Sequence, residues 1–207
     1  MSFELPALPY DAKALEPHLT RAVVQQRHGE LQRACVARLN RLVAGTPWAE
    51  CSLEAILLCA EGALAQQAAQ AWALTFHWHS LAPRPGTLPD PLAAAIGTAF
   101  GDLEGLRCAL EEAAAEVSEG GWVWLVAQGE ARELAVVTTA DGELPLAPGV
   151  IPLLVHYVAP EAEEAAAGLA AFWALANWRF ATTNLMGSAA PSRPSIPQGS
   201  ARRPMPR

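Results

Sequence analysis

The side chains best suited to chemistry crowd into one stretch, Gln67 to Pro83, which holds His77, His79, Trp72, Phe76 and Trp78. Imidazole is a general acid, a general base or a metal ligand near neutral pH. Two histidines two residues apart diverge on a helix and converge only on a strand. The stretch is rich in Ala, Leu and Gln and ends at Pro83, which predicts one helix. His77-Trp78-His79 therefore does not read as a metal clip. The cysteines, Cys35, Cys51, Cys59 and Cys108, lack the spacing of a zinc or redox pair and read as free thiols. Glu111, Glu112 and Glu116 read as a solvated helical face. No dinucleotide-binding glycine motif, P-loop, nucleophile elbow or HExxH helix occurs.

The elements that must position these residues change period along the chain. Residues 1–19, with Pro6, Pro9 and Pro17, suit an extended arm that lays Leu5, Leu8 and Tyr10 on a surface. From Thr20 a helical stripe is predicted through Val24, His28, Leu31, Cys35 and Leu39, ended by Gly45 and Pro47. Ser52 is suited to cap a short helix before the histidine-bearing one. The segment 84–91 is a proline-rich loop and a predicted domain boundary. Helices are predicted from Asp90-Pro91 to Gly101, and from Asp102 to Gly120. Residues 122–128 and 133–139 then read as an antiparallel hairpin, and 150–158 as a third strand despite Pro152. Pro160 with Glu161, Glu163 and Glu164 suits a helix start, and a final helix is predicted to carry Phe172, Trp173, Leu175, Trp178 and Phe180, so that helices close the chain. The order predicts an α+β fold: an N-terminal α-hairpin domain (1–84), then an α+β domain with a three-stranded antiparallel sheet (90–185). Residues 186–207 are expected to be a disordered Pro/Ser/Arg-rich tail.

Composition narrows the function classes. The 207 residues are 52% hydrophobic, enough for a substantial core. No apolar run reaches the roughly 20 residues of a membrane span, and the first residues lack the pattern of a secretory signal. A cytoplasmic protein is expected. The net charge is −7, and four of the arginines (193, 202, 203 and 207) lie in the tail, which leaves about −11 for the rest. Such a body is not expected to bind nucleic acid.

Several segments together carry a family resemblance. They are FELPALPYDAKALEPH (3–18), SLEAILLCAEG (52–62), AAQAW with TFHW (68–78), GWVWLV (121–126) and FWALANW (172–178). In this order they resemble the iron/manganese superoxide dismutases, bacterial-type members of the iron branch. The resemblance implies an α-hairpin domain followed by a domain with a three-stranded sheet. It also implies an iron or manganese ion held by three histidines, an aspartate and solvent, which alternates between two oxidation states to dismute superoxide.

The departures bear on activity. By this resemblance the four ligand positions fall at Arg27, Leu74, Tyr157 and Glu161. The channel tyrosine falls at Cys35, and a histidine pair in the first helix falls at Leu31 and Gln32. The glutamine that tunes the bound solvent survives as Gln70, with Trp78, Trp122 and Trp124 around it. Residues that join subunits in the family fall at Ala159 and Pro160. A shift of one residue in the third strand would put His156, not Tyr157, at the aspartate position.

A guanidinium does not deprotonate in a protein, so Arg27 is not expected to coordinate a metal, and Leu74 has no donor atom. The expectation is a non-catalytic homologue without cofactor, in which an Arg27–Glu161 ion pair replaces the metal. Such a chain would act as a homodimer or as the partner of an active paralogue. The alternative is a dismutase or other redox metalloenzyme whose iron or manganese has moved to His28, His77, His156 and Glu161. Cys35 beside Arg27 is expected to be an inert buried thiol, the alternative being a reactive one with a lowered pKa.

Overall fold

The computed structural model describes residues 2–187. The first long helix is continuous but not uniform. It runs as α1 (Arg21–Val24), a π-helical segment (Gln25–Gln32) and α2 (Arg33–Val43). Thr20 caps it by accepting from the Val23 amide. The wider π turns delay the buried stripe by one residue. Gln32, not Leu31, follows Val24 inward; Gln32 is fully buried, whereas Leu31 is half exposed. The α-helical stripe predicted through Leu31 is corrected on that ground.

A 3-10 turn (Pro47–Glu50) leads to α3 (Leu53–Cys59), which Ser52 caps at the Ala55 amide as predicted. Helix α4 (Gly62–Ser80) packs along α2 and carries the histidine stretch. It ends three residues before Pro83, because Leu81 bridges to Ala176 and Ala82 donates to the Leu175 carbonyl. The N-terminal arm is pinned to this hairpin. Phe3 and Asn40 exchange two hydrogen bonds, and the Tyr10 hydroxyl donates to the Trp78 carbonyl.

The second half opens with α5 (Asp90–Phe100) and α6 (Leu103–Glu116), the latter capped by Asp102. Strands β1 (Gly121–Gln128), β2 (Glu133–Thr139) and β3 (Val150–Val158) form an antiparallel sheet in the order β2-β1-β3. Pro152 is tolerated because β3 is an edge strand and the ladder shifts register beside it. Helices α7 (Ala162–Leu175) and α8 (Trp178–Met186) close the fold. Helices close the chain as predicted, and the stretch expected as the final helix, Phe172 to Phe180, is broken at Ala176–Asn177, where Asn177 caps α8 by accepting from the Phe180 amide. The structure is the α+β arrangement predicted. The tail expected from 186 lies, from 188 on, outside the described residues.

The central strand divides the core. Trp122, Trp124 and Val126 face the hairpin with Leu39, Ala71 and Leu74, while Val123, Leu125 and Ala127 face Leu106, Leu110 and Phe172. The period of two along β1 thus covers both faces of the sheet with helices.

Candidate functional site

One cavity, of about 290 Å³, opens between the two halves. The π segment supplies Gln26, Arg27 and Leu31; α4 supplies Gln70, Leu74, His77 and Trp78; the sheet and its flanks supply Trp122, Asp141, Tyr157 and Ala159. Pro160, Glu161 and Glu164 complete it from the start of α7. Gln70, Leu74, His77 and Trp78 recur at spacings of three and four, one helical face. The four positions singled out by the resemblance, Arg27, Leu74, Tyr157 and Glu161, therefore line a single cavity with Gln70 and Trp122. The strand places Tyr157, not His156, on the cavity side, opposite Trp122 on β1. Gly120 fits this turn because its φ of +82° suits glycine; a Cβ there would meet the Tyr157 hydroxyl at 3.5 Å, an ordinary contact.

Arg27 is anchored by Glu164, not by Glu161. Its Nη2 lies 2.7 Å from Glu164 Oε1, and its guanidinium carbon lies 5.9 Å from the Tyr157 ring centroid. The expected Arg27–Glu161 pair is thus corrected. Glu161 serves as the N-cap residue of α7 in extended conformation, whereas Glu164 is a helical residue in the first turn. Removal from water and the negative charge of Asp141 push the Tyr157 phenol above its usual pKa, and Arg27 partly opposes this. Burial also raises the Asp141 carboxyl, while the nearby Trp122 indole N–H holds back part of that rise without closing a hydrogen bond.

Two buried histidines flank this wall. His77 is 3% exposed and its Nδ1 lies 3.3 Å from the Val155 carbonyl oxygen. Burial first, and the Arg27 charge second, lower its pKa to about 4. A neutral ring whose Nδ1–H donates to that carbonyl leaves Nε2 as an acceptor, and Nε2 has no partner. His156 lies 6.3 Å away between ring centroids, with neither ring nitrogen hydrogen-bonded. Burial followed by the charges of His77 and Arg27 holds it well below the usual histidine range. It faces Phe172 and does not line the cavity.

The other sequence candidates disperse. His28 Nε2 lies 2.7 Å from the Pro6 carbonyl, and its ring meets the edge of Trp78 outside the cavity lining. The proposed set of His28, His77, His156 and Glu161 is not brought to one point. Among the described residues no group of three or more His, Cys, Asp or Glu side chains converges as a metal-holding cluster. His79 stacks on Phe180. Cys35 is buried, accepts from Gln67 Nε2 at 2.8 Å, and is pushed up to about 11 by burial, opposite to a reactive thiolate.

Sequence reasoning missed the residues that hold the wall in place. Gln32 donates to Thr75 Oγ1 at 3.0 Å and accepts from Trp78 Nε1 at 2.8 Å, tying the π segment to α4. Ser80 Oγ accepts from the Val155 amide, tying α4 to β3. Asp141 was also missed. It reaches the cavity from a turn where Gly142, at φ +80°, passes so close to α4 that a Cβ would lie 3.1 Å from Gln66 Cβ.

A helical hairpin laid on a three-stranded antiparallel sheet, with a cavity at their junction, is the architecture implied by the resemblance. The family described as "Iron/manganese superoxide dismutases, alpha-hairpin domain" matches residues 2–82, and its C-terminal domain matches residues 89–184. The chain is 38% identical to "Superoxide dismutase [Fe]" of Escherichia coli K12 over 192 residues, covering 89% of this chain and 99% of that protein. It is 35% identical to the protein of that description from Coxiella burnetii, over 89% of this chain and 98% of the relative. For the Legionella pneumophila protein the identity is 34%, over 89% and 100%. The chain belongs to the iron/manganese superoxide dismutase family.

Proposed function

We propose that this chain is a non-catalytic member of its family, in which the metal centre has given way to a small organic pocket. The observation that supports the reading is that one cavity gathers Arg27, Leu74, Tyr157 and Glu161, the residues that the resemblance sets at the four ligand positions. Arg27 and Leu74 offer a cation no lone pair. Tyr157 keeps its proton at neutral pH, since burial raises its pKa. Only Glu161 offers an anionic oxygen. These residues do not fit the family's metal, which needs several donor atoms converging on one point.

What the chain's own residues do here is structural. Arg27 and Glu164 neutralise each other across the junction of the π segment and α7. Leu74 fills the wall of α4, and Tyr157 joins Trp78 and Trp122, which the resemblance carries over, in an aromatic lining. The role that remains is that of a cytoplasmic binding or interaction protein, working as a homodimer or beside an active paralogue. We divide it into a hairpin unit (1–84) and an α+β unit (90–185).

The test is restoration. The quadruple variant Arg27→His, Leu74→His, Tyr157→Asp, Glu161→His is expected to take up iron or manganese where the unaltered chain does not. Equal uptake by both, read by elemental analysis, would overturn the reading.

A further inference from the structure

The cavity keeps two buried polar side chains with unmade hydrogen bonds: His77 Nε2 has no partner, and Trp122 Nε1, near the Asp141 carboxyl, closes no bond to it. His77 and Trp122 are 3% and 1% exposed, both line the cavity, and His77 Nε2 and Trp122 Nε1 are unpartnered. A buried donor or acceptor that makes no hydrogen bond forfeits the one it made to water. The two are complementary in kind. His77 Nε2 is an acceptor, because Nδ1 is engaged with the Val155 carbonyl, while Trp122 Nε1 is a donor only. The rings lie 6.1 Å apart between centroids. One hydroxyl group, donating to His77 and accepting from Trp122, meets both needs at once.

The remainder of the lining defines the rest of a ligand. Leu31, Leu74, Trp78 and Tyr157 give an apolar, aromatic wall. The lining charges are one positive, Arg27, and three negative, Asp141, Glu161 and Glu164. Arg27 is matched by Glu164, so the surplus is negative and lies with Glu161 and Asp141. An ammonium group complements that surplus, and aromatic faces add cation–π attraction. The volume, about 290 Å³, is at the small end of ligand pockets.

We propose that the cavity binds a small hydroxyl-bearing organic amine, its hydroxyl between His77 and Trp122 and its ammonium group toward Glu161. This inference rests on the reading that the site has exchanged metal binding for an organic pocket.

Titration calorimetry of the full chain with tyramine, in chelator-treated buffer at neutral pH, tests it, with iron and manganese measured on the same sample. The expected result is saturable binding of one tyramine per chain. Glu161→Gln, a change at an exposed position, is expected to weaken it about tenfold, as is removal of the hydroxyl with 2-phenylethylamine as the probe. The anion 4-hydroxyphenylacetate is expected not to bind. Absence of saturable tyramine binding, indifference to Glu161→Gln, or equal binding of the anion overturns the proposal. No binding by a metal-free chain overturns the ligand alone. No binding by a chain that carries stoichiometric metal overturns both the ligand and the loss of the metal site.

Discussion

Arg27 and Glu164 close a 2.7 Å ion pair across the cavity mouth, one from the π segment and the other from the first turn of α7. The two side chains differ in setting, with the arginine 18% exposed and the glutamate 55%. Removing the carboxylate leaves a mostly buried charge unpaired, whereas removing the arginine leaves an acid that water can solvate. Glu164→Gln is therefore expected to lose about 1 kcal/mol of stability, and Arg27→Met to change it by less than about 1 kcal/mol. Glu161→Gln, outside the pair, is expected to lie within about 0.5 kcal/mol of the unaltered chain. Urea denaturation of the three variants checks the order. A larger loss for Glu161→Gln than for Glu164→Gln would contradict the pairing.

The buried histidines set an acid limit. The folded-state pKa of His77 is lowered to about 4, against an ordinary 6.5. Above pH 6.5 the ring is neutral in both folded and unfolded chains, and its contribution to stability is fully present. As pH falls from 6.5 toward 4 the unfolded chain takes up a proton that the folded one refuses, so that stability is lost. The loss is roughly 3 kcal/mol for His77. His156, lowered for the same reason, adds to it with the same sign. Unfolding free energy measured across this window is expected to fall steadily, and His77→Gln is expected to flatten the slope. A profile level from pH 7 to pH 4 would count against neutral buried imidazoles.

Gln32 is the polar keystone between the π segment and α4. It is fully buried, with Thr75 and Trp78 as its partners. Gln32→Ala leaves the Trp78 indole N–H unsatisfied and opens a gap, with an expected cost of about 2–4 kcal/mol. Gln32→Glu keeps an acceptor for the indole but buries a carboxyl, so it is expected to fall between the two. Thermal unfolding of both variants measures the ranking, and a cost below that of a surface change for Gln32→Ala would show that the contact is dispensable.

Thiol reactivity separates the cysteines. Cys35 is buried and pushed up to about 11, while Cys59 and Cys108 are exposed. A disulfide reagent at pH 8 is expected to modify Cys59 and Cys108 quickly and Cys35 only after denaturation. Fast modification of Cys35 in the folded chain would reinstate it as a reactive group.

Most of the architecture was legible because it rests on local chemistry. Ser52 and Asp102 cap the helices they precede, Pro91 lies in the first turn of α5, and the change from period 3.6 to period 2 at Trp122 marks the sheet. Three features were not legible. The π segment leaves no mark in composition, so the buried stripe was placed on Leu31 where Gln32 carries it. The break between Ala176 and Asn177 depends on a bridge from Leu81 and on Asn177 donating to the His79 carbonyl, both far away in sequence. The partner of Arg27 depends on where α7 begins: Glu161 is its extended N-cap residue, and Glu164, in the first helical turn, is the one that meets the guanidinium. Asp141 carries no local signal, because its turn is set apart only by the packing of Gly142 against Gln66.

The most direct measurement is the metal content of the full chain purified after expression with both iron and manganese supplied, read beside superoxide removal. The account predicts far less than one metal ion per chain and no superoxide removal above that of buffer. One iron or manganese per chain, with superoxide removal that His77→Ala abolishes, would contradict it.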